Sequence, residues 1–227
     1  MRLAAALALL AFALPVSAHP GAAAPALSFN PPPVGSYGLP PIQPAPDGEV
    51  LDDAGYFHPL SDFTRGRITL LALVYTRCAD PDGCPRAAWA FKEVRALLRS
   101  DAALQGRVRL VSLSFDPVHD VPEVISAYGT RSRGNSRGAD WHFLTTASTR
   151  RVAPIVEGFG QDLRVAADSK AVPGTQAFTH NLKVFLIDPN GLVREIYSTD
   201  YLMPQMIVND IRTLDAEQRT PLIRIRR

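Results

Sequence analysis

The sequence predicts an α/β fold in which a central mixed β-sheet is flanked by α-helices, and three observations carry that prediction. Residues 69–75 are continuously apolar apart from Thr69, the pattern of a strand covered on both faces within a parallel sheet. Residues 85–99 follow with a helical stripe of Ala87, Phe91, Val94 and Leu98, while Arg86, Lys92, Glu93 and Arg95 take the other side. Towards the C-terminus, apolar runs at 182–187 and 192–197 flank the turn signal Asp188-Pro189-Asn190-Gly191. Across the chain the expected order is β-α-β-α, then α-β-β-α, which is that of the thioredoxin-like folds.

At 227 residues the chain has room for one domain with a sizeable core plus extensions. Its formal charge of +2, with no dominant basic stripe, argues against an electrostatic nucleic-acid binder. Residues 1–18 read as a secretory signal peptide: Arg2 is a positive start, Leu3 to Val16 is apolar, and Val16-Ser17-Ala18 is a small-residue cleavage site. That apolar run is shorter than the roughly 20 residues a bilayer requires. The expected product is exported, periplasmic or secreted, and soluble without a stable membrane anchor, in a compartment where disulfides persist. Residues 19–46 are rich in Ala and Pro and are expected to form an extended lead-in. The folded unit is placed at 47–218, with a basic tail at 219–227.

Within the unit, Asp47-Gly48 and Asp53-Ala54-Gly55 read as turns between short strands. After the first long strand and helix, Val108 to Ser114 is the next strand and Asp116-Pro117 its exit. A short helix is expected from Val121 to Tyr128, capped near Asp120. Thr130 to Asp140 reads as a Gly, Ser and Arg-rich loop, and His142 sits in a short strand. Arg150 to Phe159 is expected to be helical, with Pro154 near its first turns. A polar segment from Ala166 to Gln176 precedes the two final strands, and Pro204 to Leu214 closes the chain as a helix.

Cys78 and Cys84 are the only cysteines in the chain, and they fall where the first long strand gives way to its helix. Six positions along a regular helix turn about 600°, so the sulfurs cannot share a helical face. Pro81 and Gly83 break any helix between them, which makes the segment a loop. Pro85 suits the first helical position and would put Cys84 at the N-cap, where the helix dipole favours a thiolate. On that argument Cys84 is the candidate nucleophile, although folds of this kind often use the first cysteine, here Cys78. The pair serves equally as a structural disulfide, as two soft metal ligands, or as a redox dithiol. A disulfide closing so short a loop would stabilise the fold only modestly.

Among the histidines, His58 and His119 lie in turns and His142 in a strand, and all three read as surface or packing residues. His180 differs, because it stands ahead of the strand 182–187, which in this fold faces the cysteine loop. Two thiolates and one imidazole make a soft site of the kind copper prefers. Asp80 and Asp82 lie within the loop, where turn formation and helix capping account for them.

Three groups of residues together resemble the Sco/SenC copper-chaperone family. They are Tyr75-Thr76-Arg77-Cys78 followed by Cys84-Pro85; Ser114-Phe115-Asp116-Pro117 with Asp120; and His180 ahead of Phe185 to Gly191. The likeness spans roughly residues 48–214. It implies a thioredoxin-like fold that binds Cu(I) or Cu(II) through two cysteines and one histidine, the positions taken here by Cys78, Cys84 and His180. It also implies a part in assembling a cuproprotein such as cytochrome c oxidase, by delivering copper or by reducing the target's cysteines. The partner would be a cuproprotein or thiol-containing protein of the periplasm. The family loop usually has three residues between its cysteines, whereas this one has five, Ala79 to Gly83, which changes the ligand geometry.

Two further readings stand beside this one. The Cys78/Cys84 pair would serve a periplasmic thiol–disulfide oxidoreductase, one sulfur attacking and the other resolving. Alternatively, the chain is a non-enzymatic thioredoxin-like binding domain with a structural disulfide. A peroxiredoxin-type peroxidase is disfavoured, because Thr76 is two residues before Cys78 and the Thr-x-x-Cys pattern is missing.

Overall fold

The computed structural model describes residues 30–134, 138–161, 164–165, 178–179 and 182–219. The expected signal peptide, the polar segment 166–176, His180 and the tail beyond Arg219 lie outside these residues.

In chain order the strands and α-helices are β1 (Gln43–Pro44), β2 (Glu49–Leu51), β3 (Phe57–Pro59), α1 (Ser61–Thr64), β4 (Ile68–Val74), α2 (Cys84–Arg99), β5 (Val108–Ser114), α3 (Pro122–Arg133), β6 (Asp140–Leu144) and α4 (Thr149–Gly158). They continue with β7 (Arg164–Val165), β8 (Phe178–Thr179), β9 (Lys183–Ile187), β10 (Leu192–Ser198) and α5 (Pro204–Arg219). Six strands form one mixed sheet in the order β1-β10-β9-β4-β5-β6, while β2 pairs with β3 and β7 with β8. Strands β4, β5 and β6 run parallel, and β9, β10 and β1 are added antiparallel. The expected mixed sheet flanked by helices is therefore the observed architecture.

Every residue of β4 and β5 is buried, as continuous apolar runs require when both sheet faces are covered. The covering layers follow from side-chain alternation. Trp141 and Phe143 share one face of β6; Phe91 of α2 packs on the first at 5.6 Å between ring centroids, and Tyr128 of α3 on the second at 5.8 Å. Helices α2 and α3 thus lie side by side on one face. His142 points to the other face, where it meets Phe63 of α1 at 5.1 Å. Through the register His142–Val111–Leu71–Phe185, that second face continues to Phe159 at the end of α4, 4.5 Å from Phe185.

Some boundaries differ from the sequence expectation. Helix α3 runs on to Arg133, five residues beyond Tyr128, because Gly129 lies close against Phe143 of β6, Ser132 is buried as well, and packing outweighs their weak helix propensity. Its cap is Val121, with Pro122 in the first turn, and Asp120 is committed elsewhere. Helix α5 runs to Arg219, and Arg219 pairs with Asp215 one turn back at 2.7 Å. Pro154 lies inside α4.

The described end of the lead-in packs onto the domain. Strand β1 pairs with β10, the Gly35 amide donates to Thr213 Oγ1 at 3.2 Å, and the Tyr37 hydroxyl donates to Asp210 at 2.5 Å. The turn between β9 and β10 forms at Asp188, whose Oδ1 accepts from the amides of Asn190 and Leu192 at 2.9 and 3.0 Å. Gly191 completes that turn at φ +80°, a conformation that favours glycine.

Candidate thiol and metal site

The site is built where β4 ends. Beyond Val74 the chain turns, with the Cys78 amide donating to Tyr75 O at 3.2 Å. A second turn follows at once: the Gly83 amide donates to Asp80 O at 3.1 Å, and Asp80 Oδ1 accepts from the Asp82 amide at 3.0 Å. These two turns fold the loop back so that Cys84 meets Cys78, and both cysteines are unbridged thiols. Gly83, not Cys84, caps α2; its carbonyl accepts from Arg86 and Ala87, and Cys84 is the first helical residue. A Cβ at Gly83 would lie 3.1 Å from Cys78 Sγ and 3.4 Å from Asp80 O, so a side chain there would displace the Cys78 sulfur by a few tenths of an ångström.

The two sulfurs are unequal. Cys84 is 1% exposed, whereas Cys78 is half-buried. The Cys84 thiol is hydrogen-bonded to Cys78, and that bond, followed by burial and by the Cys78 charge, pushes its pKa far above the usual thiol value. Backbone hydrogen bonds at Tyr75 and at Cys84 itself pull the other way and are outweighed. The helix-dipole expectation of a thiolate at Cys84 is thus overridden by the hydrogen bond to Cys78 and by burial. In the reduced pair Cys84 keeps the proton, and Cys78 is the sulfur an incoming group reaches. Tyr128 beside them is pushed up to about 12, mainly by burial, so it remains a phenol at neutral pH.

A buried polar knot holds the start of the loop. Asp120 is fully buried; its carboxylate accepts from the Thr76 amide at 2.9 Å, the Thr76 hydroxyl at 2.5 Å and the Ser114 hydroxyl at 2.6 Å. His119 Nδ1 lies 2.9 Å from the same carboxylate. One residue beyond Thr76, Arg77 donates to buried Asp116 at 2.7 Å. Asp116, His119 and Asp120 bring one ligand atom each within 4.8 Å of one another, yet protein donors already engage both carboxylates. Sequence reading assigned Asp120 to a cap, and the knot has no local signature, since Thr76 and Asp120 stand 44 residues apart.

Of the expected site residues, the structure brings Cys78 and Cys84 together. His180 lies outside the described residues. The first residue of β9, Lys183, pairs with Ser198, and the adjoining Thr199 hydroxyl reaches Asp82 O in the cysteine loop at 3.4 Å. The start of β9 and the cysteine loop therefore share one end of the sheet. His142 packs against Phe63, as expected of a packing residue, and His58 lies 3.1 Å from Asp52.

A cavity of about 320 Å³ opens beside the sulfurs, between α2 and α3. A larger depression, about 860 Å³, lies far from this chemistry beside Tyr37, Asp188, Arg194 and Glu217. Its charges are spent internally, Arg194 pairing with Asp188 at 2.9 Å and Glu217 at 2.6 Å. Among the described residues no helix is long and apolar enough to cross a membrane.

Solved structures share this architecture. Copper-bound ScoI from Arabidopsis thaliana superposes with a TM-score of 0.63 at 14% identity, covering 77% of this chain and 98% of that one. Apo Sco1 from Thermus thermophilus gives 0.62 at 25% identity, covering 79% and 95%. BsSco, a member of the Sco family of cytochrome c oxidase assembly proteins in which a disulfide switch was identified, gives 0.56 at 21% identity, covering 78% and 96%. At such identities the likeness to the first and third shows the fold alone. Among curated protein sequences none matches this chain significantly. The family model for SCO1/SenC, however, matches residues 51–215, a span that contains the cysteine loop, the Asp120 knot and the β9–β10 hairpin, and the chain belongs to the SCO1/SenC family.

Proposed function

We propose that this protein is an exported copper metallochaperone that takes part in assembling a cuproprotein such as cytochrome c oxidase. The observation that carries the reading is the contact between two unbridged thiols, one buried and one reachable, in a loop that two turns and a polar knot hold in place. Two adjacent soft sulfurs suit copper as cargo. Cys78 and Cys84 supply two ligands, and loading displaces the proton that Cys84 holds in the reduced pair. His180, three residues before Lys183 in sequence, is proposed as the third ligand. Copper-bound relatives and the family's part in cytochrome c oxidase assembly support the assignment. Export rests on residues 1–18 as a signal peptide.

A second reading is favoured by the same inequality of the sulfurs. A reachable Cys78 and a buried Cys84 suit an attacking and a resolving thiol, and one relative carries a disulfide switch. Redox state would then gate copper loading, because an oxidised pair offers no thiolates.

The deciding test is an anaerobic Cu(I) titration of the reduced protein, repeated with Cys78→Ser and His180→Ala. One equivalent bound by the parent, lost in the cysteine variant and weakened in the histidine variant, is the expected result. Absence of specific binding by the parent would sink the metallochaperone reading and leave the dithiol chemistry.

A further inference from the structure

The cavity beside the sulfurs is more than an opening to solvent. Its α2 wall consists of Pro85, Ala88, Trp89 and Lys92, spaced so that one helical face presents all four. Its α3 wall consists of Tyr128, Arg131 and Ser132, again on one face. Helices α2 and α3 lie side by side because Phe91 and Tyr128 pack on neighbouring rings of β6. The result is a groove lined by Cys78, by the aromatic side chains Tyr75, Trp89 and Tyr128, and by exposed Lys92 and Arg131. No carboxylate lines it among the described residues. Nearby arginines are used internally, Arg86 with Asp82 at 3.5 Å and Arg133 with Asp53 at 3.0 Å, whereas Lys92 and Arg131 face the groove.

We infer that this groove docks an extended segment of the partner protein that carries a cysteine for Cys78 and an acidic side chain for Lys92 and Arg131. The inference rests on the reading above only in that Cys78 is the sulfur the partner reaches. Lys92 stands eight residues along α2 from Cys84, or about 12 Å at a rise of 1.5 Å per residue. An extended peptide advances about 3.3 Å per residue, so the acidic side chain belongs about three to four residues from the partner's cysteine. Trp89 and Tyr128 offer flat apolar surface to the residues between, with the Tyr128 hydroxyl as a donor. The occupant is a protein segment, because the groove combines a thiol with aromatic walls and two exposed cations at peptide spacing.

The same docking would serve disulfide exchange, and the chemistry balances without another reagent. The Cys78 thiolate attacks one sulfur of a partner disulfide; that S–S bond breaks, a Cys78–partner bond forms, and the displaced sulfur leaves as a thiolate. Cys84 then loses its proton to solvent and attacks Cys78, releasing the second partner thiolate. Two electrons have passed from the protein dithiol to the partner disulfide.

The probes are symmetrical disulfides of blocked tetrapeptides with cysteine at one end, Ala-Ser between, and Glu, Gln or Lys at the other, made in both sequence orders. The rate at which each oxidises the reduced protein is measured, together with its salt dependence. In at least one order the Glu peptide is expected to react about fivefold faster than the Gln peptide, with Lys slowest and the spread shrinking as salt rises. In the double variant Lys92→Ala/Arg131→Ala the Glu-to-Lys ratio falls towards one, and Lys92→Glu reverses the order. Equal rates for the three peptides in the parent would overturn the docking inference while leaving the dithiol reactive. A Glu preference that survives the double variant would overturn the assignment to these two cations. Reduced forms of the peptides are also titrated into the Cys78→Ser/Cys84→Ser protein, with the fluorescence of Trp89 as readout. There a Glu preference supports the groove even if exchange fails, and no preference overturns it.

Discussion

Thr76 and Asp120, 44 residues apart, are joined twice: the Thr76 amide and the Thr76 hydroxyl both donate to the one buried carboxylate, at 2.9 and 2.5 Å. Thr76 is two residues from Cys78, so the position of the reachable sulfur is set by a side chain at the start of a different helix. The knot is extended by Ser114 at the end of β5 and by His119, so it ties the ends of two neighbouring parallel strands to the cysteine loop.

Removing that carboxylate strands several donors at once. Asp120→Ala leaves the Thr76 amide and the hydroxyls of Thr76 and Ser114 without their acceptor, and is expected to cost about 3–5 kcal/mol of stability. Asp120→Asn keeps the shape and part of the bonding, costing about 1–3 kcal/mol. In the Asn variant, copper affinity should fall by roughly 10- to 100-fold, as for other residues that orient ligands. Urea unfolding and Cu(I) competition titration read the two effects separately. Full copper affinity in Asp120→Asn would show that the loop is positioned without the knot.

Gly83→Ala puts a methyl group 3.1 Å from Cys78 Sγ, so the sulfur must give way by a few tenths of an ångström. Backbone at Asp80 closes the other side, which leaves the sulfur as the part that moves. Stability should change by less than about 1.5 kcal/mol, while copper affinity falls by roughly tenfold. Parallel denaturation and metal titration would settle it, and an unaltered affinity would mean that the loop has slack.

His142 is held below the usual histidine value of 6.5, chiefly by burial, with the nearby Asp140 charge opposing. The native state therefore favours the neutral ring. Its contribution is present above the unfolded value of 6.5 and is lost as pH falls through the depressed folded value. Urea midpoints measured between about pH 7 and pH 5 should fall in the parent and fall less in His142→Leu. Parallel curves for the two proteins would assign the acid sensitivity to another group.

Asp210 is 6% exposed and accepts from two tyrosines, Tyr37 at 2.5 Å and Tyr197 at 2.7 Å. Burial raises its pKa, and the two hydroxyls hold it down. Tyr197→Phe removes one of these donors and should destabilise by about 1–2 kcal/mol; Asp210→Ala strands both hydroxyls and should cost about 2–4 kcal/mol. Tyr37 belongs to the lead-in, so in Asp210→Ala limited proteolysis near residues 30–40 should accelerate ahead of global unfolding. Unchanged cleavage there would mean that β1 alone holds the lead-in.

Much of the fold was legible because its signals are local. The strand Val108–Ser114 lies where its apolar pattern placed it, and the stripe Ala87, Phe91, Val94 and Leu98 is the buried face of α2. Asp188 to Gly191 makes the turn its composition demands. Less was legible where packing overrules propensity. Gly129 read as the approach to a loop and Ser132 as part of it, yet burial of both carries α3 through them. Pro44 read as part of an extended lead-in, yet it pairs as an edge strand, where a missing N–H costs nothing towards solvent.

The sequence by itself determined the mixed α/β architecture, the pairing of the two cysteines across a helix-breaking loop, and the family resemblance that 51–215 bears out. These follow from periodicity, from Pro and Gly stereochemistry and from motif spacing, all properties of near neighbours in the chain. The tertiary structure alone decided that Cys84 is buried and protonated while Cys78 is reachable, reversing the order that a helix dipole suggests. It also decided that Asp120 anchors Thr76 and that Trp89, Lys92, Tyr128 and Arg131 line one groove. Desolvation and hydrogen bonds between distant residues set those outcomes, and neither leaves a mark on a local stretch of sequence.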